Sequence, residues 1–96
     1  MKPIREILYK VEINSVIGNT SLIINRVEFD SRLINERDMY VAIKGVNVDG
    51  HDFITQAIQN GANCIICEKI PEEKVDDIVY VNVSSSRSAL AVISVS

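Results

Sequence analysis

The chain has 96 residues, 47% of them apolar, with ten basic side chains against thirteen acidic ones and a net charge of -3. That length holds one small domain and no second complete one, and charges scattered in this way build no broad positive surface for a phosphate backbone, which excludes nucleic acid as a main partner. The longest apolar runs fall far short of the roughly 20 residues that span a bilayer, and Glu6 interrupts what would be the apolar core of a secretory signal; the expected setting is the cytosol, with no membrane partner.

In chain order, residues 3–10 predict a short helix, because proline is tolerated in a first turn and Ile4, Ile7 and Leu8 share one face. Gly18 and Asn19 mark a turn, and residues 22–29 are rich in β-branched and aromatic side chains with partial alternation, which predicts a strand. Asp30 and Ser31 break it. Residues 35–38 form a polar connection, and the nearly continuous apolar run 39–44 is what a central strand buried on both faces requires.

Next, Asp49, Gly50 and Asp52 supply turn and cap chemistry, and Phe53, Ile54, Ala57 and Ile58 recur at helical spacing until Gly61 closes the helix in a left-handed cap. Residues 63–68 are the following strand. Residues 39–68 therefore predict a β-α-β unit with parallel strands and a right-handed crossover, in a small sheet with helices packed on it; the fold class is α/β. Residues 71–74 are a charged loop, residues 78–83 another strand, and the serines at 84–88 cap a helix with Ala89, Leu90, Val92 and Ile93 on one face. That helix reaches Ser96 with its apolar face still running and no stop signal, so residues 1–96 are expected to be one domain of a longer chain.

Cys64 and Cys67 have the spacing of a redox or metal motif, but on a strand side chains three apart point to opposite faces. With His51 the only histidine, a zinc site lacks ligands, and two small core residues in a reducing compartment is the expected reading. No metal is expected.

In parallel α/β sheets ligands bind beyond the carboxyl ends of the strands. Residues 45–51 form such a loop, with backbone amides, the Asn47 side chain and the start of a helix near Asp52, a combination suited to a flat polar ring or an anion. Asp30, Ser31 and Arg32 also follow a strand and offer a hydroxyl and a guanidinium, so the two turns together could hold a nucleotide diphosphate. The plainer alternatives are turn and capping chemistry, with Arg32 paired to Asp30 or Asp49. Lys44 and His51 are open to either reading. Ser86 and Arg87 repeat the Ser-Arg pair but stand before an amphipathic helix, where capping is the favoured role.

Phe29-Asp-Ser-Arg32, Met39-Tyr-Val-Ala-Ile-Lys-Gly45, Val48-Asp-Gly-His-Asp-Phe-Ile54, Ala57-Ile58 and Gly61-Ala62 together resemble the N-terminal domain of the Mur ligases over nearly the whole chain. The resemblance implies a domain that grips the UDP end of a UDP-N-acetylmuramoyl-dipeptide substrate, with central and C-terminal domains of the same enzyme as its partners. Phe29, Ser31 and Arg32 then belong to the first uridine-contact turn, and Val46, Asn47 and Val48 to the second. Where the family often carries histidine or another polar residue this chain has Val46, leaving a backbone amide to reach uracil; Asn47 keeps a donor and an acceptor for a pyrimidine edge.

Within the family, the motifs lean toward the ligase that adds the third residue, diaminopimelate or lysine, to UDP-N-acetylmuramoyl-L-alanyl-D-glutamate in peptidoglycan synthesis. The alternatives are the ligase that adds D-alanyl-D-alanine and, in another class, a stand-alone α/β interaction or regulatory domain. The implied reaction uses ATP and magnesium to form an acyl phosphate that an amine attacks. No glycine here is followed by lysine, so this chain lacks the phosphate loop and is expected to be inactive alone, with no catalytic residue and no cofactor of its own.

Overall fold

In the computed structural model, which describes residues 1–94, the run expected as a central strand forms β5 (Met39–Val41), hydrogen-bonded on one side to β4 (Val27–Glu28) and on the other to β6 (Cys64–Cys67). Beyond β6 lie β7 (Val79–Asn82) and, antiparallel to it, β2 (Ser15–Ile17), giving the order β2-β7-β6-β5-β4. The pairs from β4 to β7 are all parallel, with Met39 opposite Cys64 and Cys64 opposite Val79. This is the expected α/β class.

Strand alternation sorts the core into two clusters. Met39, Val41, Cys64, Ile66, Val79 and Val81 face one side, covered by α1 (Ile4–Ile7) and α3 (Ser86–Ser94) through Ile4, Leu8 and Ala89. Tyr40, Ile65, Cys67 and Tyr80 face the other, covered by α2 (Ile54–Gln59) through Ile54 and Ala57. Since β5, β6 and most of β7 are buried on both sides, near-continuous apolar sequence is what these strands require. Gly61 follows α2 at φ +121°, as the cap chemistry predicts.

The first third of the chain departs from expectation. The predicted helix at 3–10 is a single turn, with Pro3 at its N-cap in extended geometry. The single strand expected over 22–29 is two pieces: β3 (Ile23–Ile24), which pairs with β1 (Lys2–Pro3) in a separate two-stranded sheet, and β4. Between them the Asn25 amide donates to the Arg37 carbonyl and the Arg26 carbonyl accepts from Met39, both at 2.8 Å, so two residues carry the chain from one sheet to the other. Residues 35–38 are the polar connection expected, and within it Asp38 is buried and accepts from the Asn35 amide at 2.8 Å, with Arg26 Nη2 at 3.5 Å. The last helix is confirmed as α3, while residues 95–96, on which the expectation of a longer chain also bears, lie outside the described residues.

Cys64 and Cys67 are free, buried, and in opposite clusters. Burial pushes the Cys64 thiol well up, and the Cys67 thiol up to about 11. Because the thiolate is the reactive form, iodoacetamide at pH 8 should leave both unmodified in the folded chain and label both in denaturant. Rapid native labelling would contradict this packing.

Candidate functional site

Two turns, one after β4 and one after β5, meet near the start of α3 at the carboxyl end of the sheet. After β4, Asp30 caps a 3-10 turn (Ser31–Leu33), accepting from the Arg32 amide at 3.0 Å and from Arg32 Nε and Nη2 at 3.0 and 2.8 Å. This two-pronged pair holds the Asp30 carboxyl below the usual range, chiefly through the Arg32 side-chain hydrogen bonds, and raises Arg32 in turn. Ser31 is buried: its hydroxyl donates to Gln56 Oε1 at 3.1 Å and its carbonyl accepts from Asn60 Nδ2 at 2.9 Å, which ties the turn to α2. The hydroxyl oxygen retains acceptor capacity. Phe29 stays largely exposed.

After β5 the chain makes a small antiparallel hairpin. Gly45 donates to Val48 and Gly50 to Ile43, both at 2.8 Å, so that Lys44 and Asp49 face each other and Val46 and Asn47 form the exposed tip. Asp49 caps a second 3-10 turn (Gly50–Phe53) through the His51 amide at 2.9 Å, and its Oδ1 lies 2.8 Å from His51 Nδ1. The other ring nitrogen, Nε2, accepts from the Glu68 amide at 2.9 Å, which places the imidazole proton on Nδ1, donated to Asp49. His51 is thus a brace between the loop and the end of β6, and the hydrogen bonds from its amide and ring hold the Asp49 carboxyl low. Beneath the loop the Tyr40 hydroxyl donates to the Gly50 carbonyl at 2.8 Å; burial pushes that hydroxyl up to about 12, so it remains a donor.

These turns enclose a cavity of about 740 Å³, within the range of small-molecule sites. Of the residues predicted to bind, Phe29, Ser31, Arg32 and Val48 line it. Val46 and Asn47 do not; they stand at the hairpin tip, with Val46 fully exposed. The positive helix end expected near Asp52 is also displaced, because α2 begins at Ile54 after the 3-10 turn and has six residues. Tyr40, Phe53, Gln56 and Arg87 line the cavity unforeseen. The helical spacing puts Phe53 with Ile54, Ala57 and Ile58 on one apolar face, but the structure leaves it 39% exposed in the 3-10 turn before α2, and nothing in the local sequence marked Gln56. Arg87 had a signal in its Ser-Arg pair. Among the described residues no cluster of three His, Cys, Asp or Glu side chains suits a metal ion, and no helix is long and apolar enough to cross a membrane.

The family model described as "Mur ligase family, catalytic domain" matches residues 23–94. A UDP-N-acetylmuramoyl-L-alanyl-D-glutamate--2,6-diaminopimelate ligase from Cytophaga hutchinsonii is 40% identical over 91 residues, which are 94% of this chain and 19% of that protein. Among solved structures, MurF from Acinetobacter baumannii aligns with a TM-score of 0.77 at 24% identity, covering 95% of this chain and 20% of the other, a likeness of fold. MurF ligase from Thermotoga maritima in complex with ADP aligns at 0.63 with 39% identity, covering 72% and 16%. The chain spans about a fifth of the length of curated relatives it matches.

Proposed function

The chain belongs to the Mur ligase family, and on that footing we propose that residues 1–96 are the N-terminal domain of a longer ATP-dependent ligase, anchoring the UDP end of UDP-N-acetylmuramoyl-L-alanyl-D-glutamate while other domains add the third amino acid in cell-wall synthesis in the cytoplasm. The observation that carries this reading is the cavity where the turns after β4 and β5 converge, walled by Phe29, Ser31, Arg32 and Val48. Val46 and Asn47 stand beside it with backbone amides that no described residue occupies, and Asn47 presents the donor and acceptor that a pyrimidine edge pairs with. The diaminopimelate-adding branch is favoured by the curated relative's identity of 40% over most of the chain.

The residues present do not suit ATP or magnesium. The four glycines precede Asn19, Val46, His51 and Ala62, so no Gly-Lys-Ser/Thr loop exists to cradle phosphates, and no carboxylate cluster gathers among the described residues. The domain's contribution is binding energy remote from the reacting carboxylate, which orients a long substrate. Asn47 is exposed and makes no hydrogen bond or ion pair with a described residue, so Asn47→Ala in the complete protein should weaken UDP-substrate binding by about 1 to 3 kcal/mol, the cost of leaving a ligand group unpaired. KM should rise while kcat holds. Unchanged affinity by calorimetry would remove Asn47 from the site.

A further inference from the structure

We propose that Arg87, at the start of α3, grips the diphosphate of the bound nucleotide. The assignment rests on the uridine reading of the cavity and adds the group that holds the anionic end. Two basic side chains line the cavity, Arg32 and Arg87. Arg32 is already occupied, with Nε and Nη2 both on the Asp30 carboxylate, and Asp30 lines the same wall. That pair carries no net charge, so what it offers an anion is its remaining N–H donors rather than an excess of positive charge. The Arg87 side chain makes no hydrogen bond or ion pair with any described residue. The net positive charge of the wall is therefore its guanidinium, whose planar fork of donors suits phosphate oxygens.

The backbone at the same place is a weaker candidate. At the start of α3 the Ser86 amide donates to Glu68 Oε2 at 2.9 Å, the Ser88 amide to Ser85 Oγ at 3.1 Å, and the Ala89 amide to the Ser85 carbonyl at 3.0 Å. Of these first amides only that of Arg87 has no partner among the described residues, and a carboxylate stands beside it, so the side chain of Arg87 carries most of what anion affinity this corner has. Sheet order sets the direction of the ligand: β7 lies two strands from β5, about 10 Å at ordinary strand spacing. A base held between residues 29–32 and 45–48 would extend its phosphates across the carboxyl ends of β5 and β6 toward Arg87.

The test is calorimetric titration of the complete protein with uridine and with UDP, for wild type, Arg87→Ala and Arg87→Lys. Arg87→Ala should raise the Kd for UDP roughly ten- to a hundred-fold, as loss of charge-assisted hydrogen bonds does, leave uridine unchanged, and lower the salt dependence of UDP binding. Arg87→Lys should recover part of the loss, keeping the charge without the fork. Equal losses for uridine and UDP would make Arg87 a scaffold residue and overturn the assignment, as would an unaltered UDP affinity. If wild type binds neither ligand, the uridine reading itself falls and this assignment with it.

Discussion

Replacing Gly50 by alanine should dismantle the candidate site while leaving most of the sheet intact. An added Cβ would lie 2.7 Å from the Ile43 amide nitrogen, 2.9 Å from the Ile43 carbonyl oxygen and 3.0 Å from the Tyr40 hydroxyl. The first two are backbone atoms, so no side chain can swing aside. The Ile43 carbonyl also accepts the Gly50 amide hydrogen bond, and the Gly50 carbonyl accepts the Tyr40 hydroxyl, so relieving the clash pulls on both. Overpacking of this kind costs about 1 to 3 kcal/mol and a lost hydrogen bond about 1 more. A urea titration should therefore show a lower midpoint with an unchanged slope, and nucleotide affinity should fall by more than the unfolded fraction accounts for, because the hairpin that carries Val46, Asn47 and Val48 loses its anchor. A Gly50→Ala protein with wild-type stability and binding would contradict the close approach.

Gly61→Ala should be at least as destabilising but should spare the site. Gly61 sits at φ +121°, outside the region that L side chains occupy readily, and its added Cβ would meet the Glu36 Cα at 2.7 Å and the Glu36 nitrogen at 2.8 Å. Both strain terms act together here. The residue is also fixed from two directions, with its carbonyl accepting from the Arg37 amide at 2.8 Å and its amide donating to the Ile58 carbonyl at 3.0 Å. A loss of about 3 kcal/mol or more follows from backbone strain plus overpacking. Gly61 does not line the cavity, so under conditions where the variant is fully folded its nucleotide affinity should equal that of wild type. The pair of glycine variants thus separates damage to the site from damage to the scaffold.

Much of this was legible from near-neighbour chemistry. The apolar run at 39–44 and the one around Cys64 and Cys67 announce strands buried on both faces, and period-two alternation alone sends those two cysteines into opposite clusters. Asp49 before Gly50 reads as a cap, and a cap is what the structure builds. The two turns expected to approach each other do meet at one cavity. The family motifs lie on those same turns.

Other features have no local signature. β2 was not anticipated because all three of its residues are exposed, so no burial pattern marks the strand; its existence depends on pairing with β7, more than sixty residues later in the chain. The run at 22–29 looks continuous, yet each half pairs with a different sheet, a choice made by β1 and β5 rather than by the run itself. His51 and Ser31 look available for a ligand in sequence but are held by the fold, His51 between Asp49 and Glu68 and Ser31 against Gln56 and Asn60.

What the sequence determined by itself was therefore the α/β class, the faces of the strands, the caps and the turns that border the cavity, because each follows from residues within a few positions of one another. What only the tertiary structure decided was which groups reach the cavity and in what state. Two arginines in similar Ser-Arg pairs differ because Asp30 neutralises Arg32 from two residues away, whereas the order of β5, β6 and β7 carries Arg87 to the same cavity wall with no carboxylate to bind it. Charge available to a ligand is a property of three-dimensional neighbours, and strand order chooses those neighbours.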